Sequence, residues 1–257
     1  MRRLAAILAL AALVAVTGEA AAERLTVALS TPDVRINSNF TGIPITVFGV
    51  IERDAQSVSR GGKYEIATLV LGPPESVIAR RKDRVLGVWA NSASEIFLAA
   101  PSFYAVNATG AVGDLAAAGL LKRFKLGFDN IGFRYRDRVA ADDPAAAEFR
   151  DAFLRIKQKA GLYSEQVGGV GFIGDTIFRT TVWIPANVPV GYYQVSVYLF
   201  ADGAVLSRAD ESFTIAKTGF EQFMFNFSRE KSFVYGFVCV ALALFTGWLA
   251  GVIFRRD

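Results

Sequence analysis

Three arginines, Arg134, Arg136 and Arg138, alternate with Tyr135 and Asp137. On a strand, alternate residues point to one face. All three guanidinium groups would then share a side and could hold a small anion, such as sulfate or phosphate, through charge-assisted hydrogen bonds. At a free sheet edge the same charges would only keep other strands from pairing. A second cationic run, Arg80, Arg81, Lys82 and Arg84, reads either as a loop or as a contact for anionic lipid headgroups, where each base contributes about 1 kcal/mol. Carboxylates occur at Glu52 and Asp54, Asp142 and Asp143, Asp202, and Asp210 and Glu211. Two carboxylates can hydrolyse a glycosidic bond. Here Asp142 and Asp143 are explained by helix capping and Asp202 by a turn, so no catalytic pair is expected.

Composition closes off much other chemistry. The chain of 257 residues has no histidine and a single cysteine, Cys239, inside an apolar stretch. That removes His-based zinc, copper and haem sites, Ser-His-Asp and Cys-His nucleophiles, and any intrachain disulfide. With 2 methionines a thioether copper site is not expected either, and no metal or cofactor is assigned. The net charge is +4, and four of the basic residues (Arg2, Arg3, Arg255 and Arg256) sit at the chain ends. The body is near neutral, which gives no reason to propose a nucleic-acid partner.

The elements that must carry these residues fall into a β-rich body between two apolar ends. Residues 1–22 read as a cleaved secretory signal: Arg2 and Arg3, an apolar run from Leu4 to Val16, then Ala20-Ala21-Ala22. The alternative is an uncleaved signal anchor. Strands are expected at Leu25–Leu29, Ile43–Ile51 (a β-branched run typical of a doubly covered strand), Tyr64–Leu71, Ser76–Ala79, Val85–Trp89 and Ile96–Ala99. The pattern then becomes helical. Asp114 is expected to cap a helix over Leu115–Lys125, and Gly127–Arg138 is ambiguous. Asp143 and Pro144 open a second helix, with Phe149, Phe153, Ile156, Ala160 and Tyr163 as its buried stripe and Arg150, Asp151, Arg155, Lys157 and Lys159 on its wet side. Strands return at Thr176–Ile184, Gly191–Ala201 and Val205–Ala216, the last two joined by an Asp202-Gly203 hairpin turn. Pro189-Val190-Gly191-Tyr192-Tyr193 has the P-x-G-x-Y form met in the late strands of immunoglobulin-like modules. The fold class expected is mainly β with a helical insertion: one immunoglobulin-like β-sandwich over 23–217, the insertion at about 101–171. Two small β modules joined by helices are the alternative.

The C-terminus is a membrane anchor by length and composition. Ser232–Phe254 carries no charge, and about 20 apolar residues are enough to cross a bilayer core. Before it, 218–231 form an amphipathic segment. Phe220, Phe223, Met224 and Phe227, with Tyr235 at the start of the span, are expected in the bilayer interface; the alternative packs the phenylalanines under the sandwich. Within the span, Gly236, Ala243, Gly247 and Gly251 share a small-residue face that would let another helix approach, from an integral membrane partner or a second copy. Read with the signal, this gives a single-pass bacterial inner-membrane protein, its domain in the periplasm and residues 255–257 in the cytoplasm.

The stretches ERLTVALSTPDVRINSNFTGIPITVFGVI, WANSASEIFLAAPSFYAVNAT, FRDAFLRIKQKAGLYSE, VWIPANVPVGYYQVSVYLF and GWLAGVIFRRD together resemble an alphaproteobacterial transmembrane protein family. The resemblance covers nearly the whole chain. It implies a secreted domain with one C-terminal span, and it brings no catalytic residues to carry over. It also implies an accessory role beside a transporter of the sulfite-exporter type. The functional expectation is therefore a non-enzymatic, membrane-anchored periplasmic binding or accessory module. A small-anion-binding domain using Arg134, Arg136 and Arg138 is the first alternative, and a carboxylate-dependent envelope hydrolase the second.

Overall fold

Alternate residues along Leu25, Val27, Ile45, Val47 and Ile51 are buried, and this period of two builds one wall of a sandwich. The computed structural model describes residues 23–37, 39–52, 63–85, 87–136, 144–218 and 220–253. The wall is a 4-stranded antiparallel sheet of β1 (Arg24–Leu29), β3 (Gly42–Glu52), β11 (Ile177–Pro185) and β10 (Val170–Ile173), in that order. The facing 6-stranded sheet has the order β2 (Asp33–Ile36), β13 (Ala204–Lys217), β12 (Gly191–Ala201), β4 (Glu65–Leu71), β7 (Tyr104–Ala108) and β9 (Tyr163–Val167). Strand β2 runs parallel to β13, and β9 parallel to β7. The first sheet reproduces the A-B-E-D order of an immunoglobulin sandwich, and β13-β12-β4 its G-F-C order. The two sheets face each other as one sandwich, and the helices inserted between its strands lie within 109–162, because 104–108, 163–167 and 170–173 are strands of the two sheets.

Two hydroxyl-and-amide contacts pin the fold where apolar packing alone would let it slide. Asn107 Nδ2 donates across the sandwich to Thr180 Oγ1 at 2.8 Å and to the Thr181 carbonyl at 3.0 Å. Tyr193, fully buried at the start of β12, donates to the Pro189 carbonyl at 2.6 Å. That is the tyrosine corner of immunoglobulin-like domains, and it explains the P-x-G-x-Y spacing. The β12–β13 turn is Asp202-Gly203, with φ of 51° and 77°. Both residues need the left-handed region that Asp and Gly reach most cheaply.

The six-stranded sheet is covered on its second face too. Tyr198 packs at a tilt against Phe124, ring centroids 4.7 Å apart, and Tyr104 likewise against Phe128 at 5.8 Å. These rings meet a helical layer of α1 (Ala118–Phe124) and α2 (Pro144–Lys159). The helix expected over Leu115–Lys125 is shorter. Asp114 lies in a 3-10 turn, Leu115 is drawn fully into the core, and α1 restarts at Ala118 with no side-chain cap. In α2, Phe149, Phe153 and Leu154 are buried, but Ile156 is 64% exposed and Ala160 is exposed. Lys157, expected in water, turns inward over the rings of Phe153 and Tyr163, at 5.5 and 6.0 Å, and meets Glu75 at 2.5 Å. The stripe is rotated because a β-hairpin, not open solvent, lies along that side. Asp143 falls outside the described residues.

Two further expectations change. Strand β3 is covered on one face only: Phe48 and Val50 point outward and are exposed among the described residues. The short strands expected at 76–79 and 85–89 are one long hairpin, β5 (Pro74–Val85) and β6 (Val88–Pro101), joined at its edge by β8 (Arg134–Tyr135). The run Arg80–Arg84 is thus strand, not loop. Its register with Ser94 through Trp89 shows why: a partner strand supplies the hydrogen bonds that charged residues do not themselves favour or forbid. The C-terminus continues as α3 (Phe220–Glu230) and α4 (Ser232–Ile253).

Candidate functional site

Strand register places several features at one end of the sandwich. Strand β13 finishes at this end, since Ile215 pairs with Gly191, the first residue of β12. Strand β4 finishes there as well, since Leu71 pairs with Gln194. The β4–β7 ladder does not stop at that point. Gly72 N donates to the Phe103 carbonyl at 2.9 Å, Ser102 N to the Pro73 carbonyl at 3.0 Å, and Pro74 then pairs with Pro101 at the base of the β5–β6 hairpin. The hairpin is therefore an arm that leaves the sandwich where the chain departs for α3 and α4. Thr218 N donates to the Ile36 carbonyl at 2.8 Å and fixes that exit. Gly72 is required here, because a Cβ would lie 2.6 Å from Ser102 Oγ and 2.9 Å from the Phe103 backbone nitrogen.

The base of the arm is rigid. Phe97, fully buried, meets Phe133, Tyr135 and Phe153 at 5.1 to 5.4 Å. Tyr163 donates to the Pro101 carbonyl at 2.5 Å. Burial, aided by the nearby Glu75 carboxylate, pushes its phenol well above the usual range, so it stays a donor. The Glu75–Lys157 ion pair joins the arm to the end of α2, and Arg81–Glu148 at 3.1 Å joins it near the beginning. Sequence reasoning missed both pairs. The one available signal was Lys157 at helical spacing from Phe153 and Leu154.

Between the arm base and β12–β13 lies a cleft of about 610 Å³, lined by Tyr104, Lys125, Gln194, Asp210 and Glu211 among others. Its two carboxylates are neighbours on one strand and do not face each other across the opening. Asp210 is also committed: it accepts from Ser196 Oγ at 2.6 Å and from Arg208 at 2.8 Å. Partial burial alone would raise its pKa, but these hydrogen bonds and the guanidinium charge outweigh that and hold it below the usual carboxylate range.

The predicted arginine set is placed in part. Arg134 and Arg136 are exposed and share a face of the strand whose other face sets Tyr135 on Phe97. Arg136 N donates to the Ile96 carbonyl at 3.2 Å. Arg138 lies outside the described residues. Arg134 and Arg136 are exposed, and β8 is the edge strand of its sheet among the described residues.

The C-terminal segments are helical where the sequence indicated. Met224 and Phe227 are half-buried, and Phe227 meets Tyr235 edge-on at 6.1 Å across the joint between the two helices. The side chains of Phe220 and Phe223 lie outside the described residues. Helix α4 has 22 residues, and an 18-residue window of it has a mean hydropathy of 2.2 with none of that window buried in the protein. Gly236, Gly247 and Gly251 lie on it with open space where a Cβ would stand, and Ala243 is exposed. No group of three or more metal-ligating side chains occurs among the described residues.

A family described as "Putative transmembrane protein (Alph_Pro_TM)" matches residues 24–256. Comparison with curated proteins finds no match. Among solved structures, the chain is similar to AggA, the major subunit of aggregative adherence fimbriae type I from Escherichia coli. The identity is 9% and the TM-score 0.26, over 78% of this chain and 100% of that one, a likeness too distant to bear on function.

Proposed function

The chain belongs to this transmembrane protein family, and from that premise we propose that it is a non-enzymatic accessory or binding module of the bacterial inner membrane. Its sandwich stands in the periplasm and its short tail in the cytoplasm. The observation that supports this reading is the direct passage from the last sandwich strand through an 11-residue helix into an apolar helix of 22 residues. Such a spacer adds only about 16 Å if it stands upright, so the domain works at the membrane surface. The partner is an integral membrane protein, for which an anion exporter of the sulfite type is the first candidate, or a second copy. It docks on the face of Gly236, Ala243, Gly247 and Gly251, where small side chains allow close helix approach.

Photo-crosslinking from position 247 and, as control, from Leu249 on the opposite face of α4 tests this in native membranes. The reading expects a discrete crosslinked species from 247 and not from 249. A monomer at both positions, with mild-detergent purification also yielding the chain alone, would overturn it. Alkaline-phosphatase fusions at either end of α4 check the orientation.

A second reading keeps Arg134 and Arg136, which share an exposed strand face, as an anion contact completed by Arg138. Calorimetry of the full chain in detergent with sulfite, sulfate and phosphate decides it. Absence of heat at millimolar ligand removes the idea.

A further inference from the structure

The outer part of the arm has a composition that the sandwich does not explain. Strand β5 continues without interruption through Arg80, Arg81, Lys82, Asp83 and Arg84, while the bulge between Arg81 and Lys82 is taken up on β6 at Ser92. Arg80, Lys82 and Arg84 therefore share one face. Arg81 and Asp83 take the other, where Arg81 bridges Asp83 and Glu148. Trp89 stands opposite Arg84 in the register, so it belongs to the basic face as well. Trp89 and Val88 are each 68% exposed. Arg80 and Lys82 make no ion pair among the described residues.

We propose that this face of the arm tip, Trp89 with Arg80, Lys82 and Arg84, docks into the headgroup layer of an anionic bilayer and gives the domain a second hold on the membrane that its C-terminal helix spans. Three observations converge on a lipid surface and not on a protein. First, the chemistry is that of an interface anchor: a tryptophan ring is amphipathic and settles at headgroup depth, and clustered bases attract anionic lipid. Second, this face of the tip is narrow and carries one large apolar side chain among the described residues, Trp89. A stable protein contact needs about 800 Å² per partner, which a tip of this size does not offer. Third, the arm leaves the sandwich at the end from which the chain enters α3 and α4, so a bilayer is always near. The 12 residues of β5 reach about 40 Å at strand rise, against about 16 Å for an upright α3. The arm is long enough to touch the surface whichever way α3 lies. Anchorage makes the docking step intramolecular, so weak contacts are sufficient. The inference rests on the membrane anchoring but not on the identity of any protein partner.

The test uses the full chain with Trp183→Phe and Trp248→Phe, which leaves Trp89 as the one tryptophan of the 3 in the sequence. The protein is reconstituted in vesicles of phosphatidylcholine and of phosphatidylcholine with phosphatidylglycerol, each with and without brominated acyl chains. Docking predicts blue-shifted Trp89 emission and bromine quenching in the phosphatidylglycerol membrane, both weakened by high salt. Each of Arg80→Gln, Lys82→Gln and Arg84→Gln should lower the docked-to-free ratio about fivefold. Circular dichroism and the melting midpoint should stay as in the parent, because these side chains face water. Water-like, unquenched emission in both membranes overturns the proposal. Equal quenching with and without phosphatidylglycerol overturns its headgroup assignment. Crosslinking from position 247 reads the partner separately, so failure of one result leaves the other standing.

Discussion

Two long hairpins of this chain are built alike and used differently. Strands β12 and β13 have 11 and 14 residues, and β5 and β6 have 12 and 14. Along β12 the residues from Val195 to Ala201 are all buried, because one face meets the opposite sheet and the other the helical layer. Along β5 burial nowhere becomes complete, and it ends in exposed bases. The same backbone pairing thus serves as a core in one place and as a lever in the other. What separates them is how many faces are covered, and that depends on elements far away in sequence. Stability should follow the covered hairpin and surface behaviour the open one.

The largest expected effect is a direct test of that division. Phe200→Ala empties a fully buried site in β12 and should cost about 3–5 kcal/mol in denaturant unfolding of the detergent-solubilised chain. Trp89→Ala, an equally drastic truncation in the arm, should shift the same curve by less than about 0.5 kcal/mol. Comparable losses would mean that the arm tip folds as part of the core.

Phe97→Ala sharpens the boundary. Phe97 lies at the arm base, fully buried among Phe133, Tyr135 and Phe153, so its truncation also removes about 3 kcal/mol of packing. If the arm and α2 open as a unit of their own, hydrogen exchange should accelerate in β5, β6, β8 and α2 and stay slow in β12 and β4. Uniform acceleration would place the arm base inside the sandwich's cooperative unit.

The same division decides what was legible in the sequence. Local rules worked where one residue type meets one geometry. Asp202-Gly203 marked its turn, Pro189 to Tyr193 marked the corner, and a charge-free stretch of span length marked α4. Rules based on periodicity failed where burial comes from a distant neighbour. The β-branched run of β3 looked doubly covered, yet one face stays open. Lys157 looked solvated, yet the arm closes over it. The basic run Arg80–Arg84 looked like a break between strands, because a charged strand gives no alternation of apolar and polar residues to read. For the candidate sites, residue types were legible and their grouping was not. Arg134 and Arg136 share a face only because Phe97 pairs with Tyr135, a contact across 38 positions that no local pattern announces.

A smaller effect tests the corner of the covered hairpin. Tyr193→Phe keeps the ring stack on Phe213 at 5.0 Å and deletes the hydrogen bond to the Pro189 carbonyl. The expected loss is about 1 kcal/mol, typical of one net hydrogen bond, and up to about 3 kcal/mol if the carbonyl is left dry. No loss would mean that water replaces the hydroxyl and that the corner is only a spacing device.

The smallest effect compares a carboxylate in each hairpin. Asp83 of the arm accepts from Ser92 and Arg81, and Asp210 of β13 accepts from Ser196 and Arg208. Both pKa values lie below the usual carboxylate range. For Asp83 the Ser92 hydrogen bond is the main cause; for Asp210 the hydrogen bonds win against an opposing effect of burial. A depressed folded-state pKa stabilises the protein above the unfolded value of about 4, and that contribution is lost as pH falls through the lower folded-state value. Both groups therefore push in the same direction. Only Asp210, however, belongs to the hairpin that carries global stability. Asp210→Asn should flatten the acid side of the unfolding curve by a few tenths of a kcal/mol, a size set by its largely solvated ion pair. Asp83→Asn should leave that curve unchanged and alter only hydrogen exchange near the arm tip. An equal flattening by both variants would show that arm and sandwich melt together, against the Phe200 and Trp89 comparison.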